Sequence, residues 1–427
     1  MSWHVSPFWS PWIELGGWLI GGTWCVRANS ILRQLPTLPD LSAPGWDVAT
    51  ERELSLVVVV PACNEAETIG ASLDCLLAAD YPQLFVLAVD DRSTDTTGAI
   101  LDDYAAKHPE RIGALHITDL PDGWLGKVHA MQAAVDATRS DFVLFTDADV
   151  LFSPSVLRRA MAYAEMEDTD HLVVMPTAQV KSKGEGMILG FFQLLGFWAA
   201  RPWKVADDRA HDAIGVGAFN LVRRSALEEM GGLMPQRLTV IEDVTIARRI
   251  KAAGLQSRLA FAPGLVLVHW AKGARGVIRV MTKNLFSGFG FNPFLLAGAA
   301  LWIVVFFLLP LLGLAWLPTV LPSLLVLLSM ASMYRVIGEY SLIDARYGWA
   351  APLGAVMFLY AMLRSLAYAW WKGGIEWRGT VYPLSELRSF NSPFTWMREG
   401  MERQHRMKNA VPSKLRRWVD RWRKGRD

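Results

Sequence analysis

From Asn284 to Tyr334 the chain runs for 51 residues without an Asp, Glu, Lys, Arg or His. A helix needs about 20 apolar residues to cross the hydrocarbon core of a bilayer, so this stretch has room for two crossings. Pro318 and Pro322 mark the turn between them. Two further apolar segments flank the rest. Residues 350–371 carry one charge, Arg364, and residues 8–26 carry only Glu14. The second of these lacks both the positive n-region and the small-residue cleavage site of a signal peptide, so it is read as an uncleaved anchor. No Lys or Arg precedes it, whereas Arg27 and Arg33 follow, which places residue 30 onward on the cytoplasmic side.

Between these segments the pattern changes. A Pro-rich connector, "LPTLPDLSAPGW", leads into "LSLVVVV", a helical period, "LFVLAVDD", a second helix, "IGALHIT", a helix around "GKVHAMQAAVDATR", and "DFVLFTDAD". Short apolar strands alternating with helices predict an α/β domain with a mostly parallel sheet covered on both faces. The expected organisation is an anchor (1–28), a linker (29–53), the α/β domain (54–290), membrane segments (291–372) and a juxtamembrane motif with a basic tail (373–427). The tail carries eleven Lys or Arg against four Asp or Glu over 398–427, interleaved with Trp418 and Trp422. Such a tail suits an anionic membrane surface or a solvated basic helix. The net charge of the whole chain is only +2, which argues against nucleic acid as a partner. Cys25, Cys63 and Cys75 form neither a metal-ligand spacing nor an even disulfide set.

Ligands of open parallel sheets bind beyond the carboxyl ends of the strands. Three polar clusters fall at such ends: Pro61 to Glu65, Asp90 with Asp91, and Asp147 with Asp149. Two carboxylates at i and i+2 can both reach one hard cation, and their oxygens suit Mg²⁺ or Mn²⁺. In the first βα turn, Pro61 and the small Ala62 precede Asn64 and Glu65. Lys127 in "LGKVHA" offers a point charge of the kind that meets a diphosphate.

The order "VVVVPACNEAETI", "VDDRSTDTT", "GWLGKVHAMQAAV", "LFTDADVLF", "GAFNLVRRSALEEMGGL" and "TVIEDVTIARRIKAAGLQSRL" resembles the family 2 glycosyltransferases with a GT-A fold. It is similar in particular to their membrane-anchored branch, which includes ceramide glucosyltransferases and hopanoid-associated and carotenoid glycosyltransferases. The resemblance implies a nucleotide-sugar site formed by Pro61, Ala62, Asn64, Glu65, Asp90, Asp91, Lys127 and Asp147. It implies a metal–diphosphate site at Asp147 and Asp149, and Asp243 as the general base with Glu242 beside it. The implied reaction moves a sugar, with inversion, from a nucleotide diphosphate sugar, UDP-linked by preference, to a hydroxyl of a membrane lipid of isoprenoid, hopanoid, carotenoid or glycerolipid type.

One departure stands out. Many membrane-bound members carry a Gln or Arg, two residues, then Arg-Trp after the base, whereas here the region reads "HWAKGARGVIRVMTKNLFSG". Arg275, Arg279 and Lys283 are the candidates for the diphosphate or acceptor side, and Trp377 with Arg378 in "GGIEWRGTVYP" for closing the acceptor path. As plain juxtamembrane cations the first three would instead fix orientation. The apolar, aromatic stretch 185–204 is expected as an interfacial helix on a path from the bilayer to the site, or else as a core helix. A processive polysaccharide synthase is the alternative function, disfavoured by the missing Arg-Trp pair and the small number of spans. Four crossings would leave the basic tail outside, so 350–371 is expected to re-enter or lie in the interface.

Overall fold

A computed structural model of the chain describes residues 10–391. The basic tail and the first residues of the N-terminal apolar segment lie outside the described residues. By contact the described chain divides into two compact units.

One unit comprises residues 41–175 and 204–260, joined by 385–391. Its centre is a seven-stranded sheet built from β1 (Leu56–Ala62), β2 (Leu84–Asp91), β3 (Ile112–Ile117), β4 (Phe142–Phe145), β5 (His171–Met175), β6 (Asn220–Arg223) and β7 (Ser257–Phe261). The strand order is β3-β2-β1-β4-β6-β5-β7. β1 pairs in parallel with β2 on one side and β4 on the other, and β2 pairs in parallel with β3. β6 runs antiparallel to both β4 and β5. Every residue of β1 is buried, which is why "LVVVVPA" shows no alternation: helices cover both faces of a central parallel strand. The order reverses between β1 and β4, and the carboxyl ends of these two strands open the crevice that such a reversal leaves.

The other unit holds residues 10–40, 176–203 and 261–384. Three of its helical segments are long and apolar enough to cross a membrane: Pro293–Gly313, Leu317–Ser341 and Ala345–Trp371. The uncharged run thus divides into two candidate spans joined by a short turn. Pro318 stands in the first turn of the second helix, where its missing N–H costs nothing, and Pro322 is carried inside that helix. The Ser10–Gln34 helix packs on Leu317–Ser341 through small residues. A Cβ on Gly21 would stand 3.0 Å from the Pro322 carbonyl oxygen, and one on Gly17 3.2 Å from the Pro322 ring, so a larger residue at either position would need its neighbour to give by a few tenths of an ångström. Trp24, fully buried, donates its indole N–H to the Phe306 carbonyl at 2.9 Å. The 185–204 stretch forms the helix Lys183–Ala199, capped by Ser182. Its Phe191 ring packs against Phe307 and Phe358 of the same unit.

Candidate active site

All the strand-end carboxylates lie in the sheet unit. Lys127, in the first turn of the helix Gly126–Ala137, is the hub. Its ammonium contacts Asp147 Oδ1 and Glu242 Oε1, each at 2.5 Å. Both carboxylates hold the lysine charged, more than offsetting its burial, and push its pKa up. Asp147 stands just beyond β4, and Glu242 opens the helix Glu242–Ala252. Two salt bridges through Lys127 therefore tie the end of β4 to the start of that helix. Pro61, Lys127, Gly217, Asn220, Glu242 and Asp243 line a single small crevice.

Two carboxyls, Asp243 in this crevice and Asp149 near Asp147, are pushed well above their ordinary range. Burial, then the charges of Asp147 and Glu65, raise Asp149 to about 6. Burial, then the neighbouring Glu242, raise Asp243 to about 7. Carboxylates kept crowded and poorly solvated in a crevice mark a functional site more often than a structural one.

The residues expected on the nucleotide side divide into two groups. Pro61 lines the crevice, and Asp91 is fully buried with Oδ1 accepting from Arg92 Nε at 2.8 Å. Asn64 instead organises the loop after β2. Held at φ +57°, it accepts through Oδ1 from the backbone N–H groups of Thr94 (2.8 Å) and Asp95 (3.3 Å). Glu65 accepts from the Thr68 hydroxyl at 2.9 Å while its charge reaches Asp149. Asp90 accepts from Ser93 N at 3.1 Å and meets His116 Nδ1 at 3.2 Å, so it braces the loop. Ala62, at the end of β1, lies level with Asp90 in the ladder.

Several residues that sequence reasoning passed over hold the crevice in shape. Asn220, the first residue of β6, donates through Nδ2 to the Asp243 backbone carbonyl at 3.2 Å, and its Oδ1 meets His171 Nε2 at 2.8 Å. His171 is fully buried, and burial lowers it to about 4, so it is neutral. Nε2–H then donates to Asn220, and Nδ1 accepts from Ser257 Oγ at 2.9 Å. Gly215 and Gly217 allow close approach: a Cβ on Gly215 would collide with the Asp243 carbonyl, and one on Gly217 would stand 2.6 Å from Asp147 Oδ2. Only a Gly-rich pattern in "IGVGAFN" hinted at this, since the contacts span more than 20 residues of sequence.

Arg275, Arg279, Lys283, Trp377 and Arg378 all belong to the other unit. The Lys283 ammonium lies 4.0 Å from the centroid of the Trp377 ring. Trp377 and Arg378 end the first strand of a hairpin, Gly374–Trp377 against Thr380–Pro383, and its turn.

An open sheet reversing at β1/β4, with an acidic crevice at that point and a lysine bridging its carboxylates, defines a nucleotide-sugar transferase domain of the GT-A type. Residues 57–231 match the family model described as glycosyl transferase family 2, and the chain carries a glycosyltransferase domain of that family. A 4,4'-diaponeurosporenoate glycosyltransferase from Staphylococcus aureus is 24% identical over 346 residues, 78% of this chain and 89% of the relative. Among solved structures, a mannosyltransferase from Pyrobaculum calidifontis in complex with GDP-Man and Mn²⁺ is 20% identical. The match covers 84% of this chain and 97% of that one, with a TM-score of 0.47. S. aureus TarS 1–349 in complex with UDP is 15% identical, covering 75% and 92%, with a TM-score of 0.38.

Proposed function

We propose that the chain transfers one sugar, with inversion, from a UDP-linked donor to a hydroxyl of a membrane lipid at the cytoplasmic face, with Asp243 as general base. The observation that carries this reading is the crevice lined by Lys127, Glu242 and Asp243, in which Lys127 bridges Asp147 and Glu242 and the charge of Asp147 reaches Asp149. A base whose pKa stands near 7 is matched to its task, ionised enough to accept a proton and basic enough to keep it. Asp243 Oδ1 accepts from the backbone N–H of Val244 at 2.8 Å, which orients the carboxylate, and Asn220 fixes its backbone from behind. The name of the S. aureus relative, a 4,4'-diaponeurosporenoate glycosyltransferase, supports a carotenoid-type acceptor.

Asp147 and Asp149 fit a divalent cation. They offer the oxygen donors Mg²⁺ or Mn²⁺ takes, and a bound ion would relieve the crowding that lifts Asp149. Among the described residues no three His, Cys, Asp or Glu side chains gather into a closed metal site, which leaves the coordination to be shared with substrate phosphates. When bound, the ion supplies positive charge to the departing nucleoside diphosphate. The chain's own residues hold that end of the site: Asp147 is fixed by Lys127, and Gly217 leaves room for its second oxygen. Purified full chain should consume UDP-sugar only with Mg²⁺ or Mn²⁺, and Asp149→Ala should abolish turnover; full activity in a chelator would overturn the assignment.

The proposed topology is supported by where the chain returns. After Ala260 it leaves the sheet unit, and it rejoins that unit at Ser385. There Asn391 Nδ2 donates to the Leu238 carbonyl at 3.1 Å, and the Arg237 guanidinium lies 5.0 Å from the Phe390 ring centroid. One folded unit occupies one face of a bilayer, so the number of crossings between these points is even. On this reading two of the three apolar helices cross, Pro293–Gly313 and Leu317–Ser341, while 350–371 re-enters or lies in the interface. A cysteine replacing Ser413 should resist an impermeant reagent in intact cells; labelling would refute this arrangement.

A further inference from the structure

Asn391 follows the short helix Leu384–Phe390 and is buried in the sheet unit. Its amide uses both its donors and its acceptor. Nδ2 donates to the Leu238 carbonyl at 3.1 Å and to the Leu387 carbonyl at 2.9 Å, and Oδ1 accepts from the Thr239 hydroxyl at 3.3 Å. Leu238, Thr239 and Val240 are themselves buried. Apolar packing alone would hold two such segments together; a fully bonded buried amide also fixes how they meet.

The segment that Asn391 grips leads straight into the proposed base. Only Val240, Ile241 and Glu242 separate Thr239 from Asp243. The helix Glu242–Ala252 has Ile241 as its N-cap, an apolar side chain that makes no capping bond. Its start is located instead by Lys127 on Glu242, by Asn220 on the Asp243 carbonyl, and by the segment before it. That segment also reaches the lysine: the Arg237 carbonyl accepts from Leu125 N at 2.8 Å, immediately before Gly126 and Lys127. The Arg237 guanidinium in turn lies over the Phe390 ring, next to Asn391.

We propose that Asn391 is a positioning residue for sugar transfer: by fixing Leu238 and Thr239 it sets where the Asp243 carboxylate stands relative to Lys127. The inference rests on the reading of Asp243 as general base and adds to it a residue that lies beyond the apolar helices in sequence. The catalytic unit is then complete only when the chain has passed through those helices and returned.

The full chain, purified in detergent, is assayed for transfer from a UDP-sugar to a membrane lipid extract, well below its unfolding temperature. Asn391→Ala should lower kcat about tenfold or more, with KM for the UDP-sugar held within about twofold, because a displaced base loses rate and not donor binding. Thr239→Val removes the hydroxyl donor from the other side while keeping the shape of the side chain, and it should lower kcat in the same way. The double variant should be no slower than the slower single one, since the two changes break one contact. A role in stability alone would lower the unfolding temperature and leave the kcat of the folded chain unchanged. That result, a loss carried wholly by KM, or losses that multiply in the double variant would overturn the proposal. Should Asn391→Ala not fold, Thr239→Val decides alone. Asp243→Asn in the same assay separates the two readings. If it is slow while the Asn391 and Thr239 variants keep wild-type kcat, only this inference fails; if it keeps wild-type turnover, the reading of Asp243 as base fails.

Discussion

Replacing Asp243 by Asn removes a proton acceptor and an ionisable group from a place where ionisation is expensive. The rise from an ordinary 3.8 to about 7 corresponds to about 4 kcal/mol between the two protonation states. The sign follows from linkage. The folded state holds this proton more tightly than the unfolded one, so the stability it confers is full below about pH 4 and is lost as pH climbs through about 7. Above pH 7 the wild type carries the full cost of an ionised Asp243, and the neutral amide does not. Asp243→Asn should therefore raise the unfolding temperature at pH 8, with about 4 kcal/mol as the upper bound, and raise it by well under half as much at pH 5. Turnover should fall by a factor of about 100 or more, the scale of a lost general base. The wild-type rate should climb with pH through about 7, as the base ionises. Thermal unfolding of the detergent-solubilised chain at both pH values, with sugar transfer measured on the same samples, tests the reasoning. An Asn variant that keeps more than a tenth of wild-type turnover, or one destabilised at pH 8, would refute it.

Lys127→Met would leave Asp147 and the buried Glu242 facing each other without their shared cation. It should cost about 3–5 kcal/mol in chemical denaturation, together with activity. Asn220→Ala would orphan His171 Nε2 and release the Asp243 backbone; a loss of about 1–3 kcal/mol in stability and a fall in kcat larger than any rise in KM are expected. Gly215→Ala would force a methyl onto the Asp243 carbonyl, and a drop in kcat with UDP affinity retained would show that the base has been displaced.

Much of the crevice was legible in the sequence because its carboxylates sit directly after apolar β-branched runs. A strand end is a local signal, and it aims Asp91, Asp147 and Asp149 by the same rule. What was not legible is long-range. β6 enters the sheet antiparallel between β4 and β5, and nothing in "NLVR" announces that. Asn220 and Gly217 reach Asp243 and Asp147 only because that strand lands beside β4. Asn64 and Asp90 read alike as polar turn residues, yet both spend their side chains on the loop after β2 rather than on the crevice. The uncharged run announced its helices through composition alone, whereas the return of residues 385–391 to the sheet unit depends on tertiary contacts that no period encodes.

The account stands or falls on the product. Full chain supplied with an α-linked UDP-sugar, Mn²⁺ and a membrane lipid extract should yield a lipid carrying one sugar, with the anomeric proton coupling of the β configuration. A product that keeps the α configuration would contradict single displacement by a base at Asp243, and a ladder of polymer would contradict transfer of one sugar to a lipid.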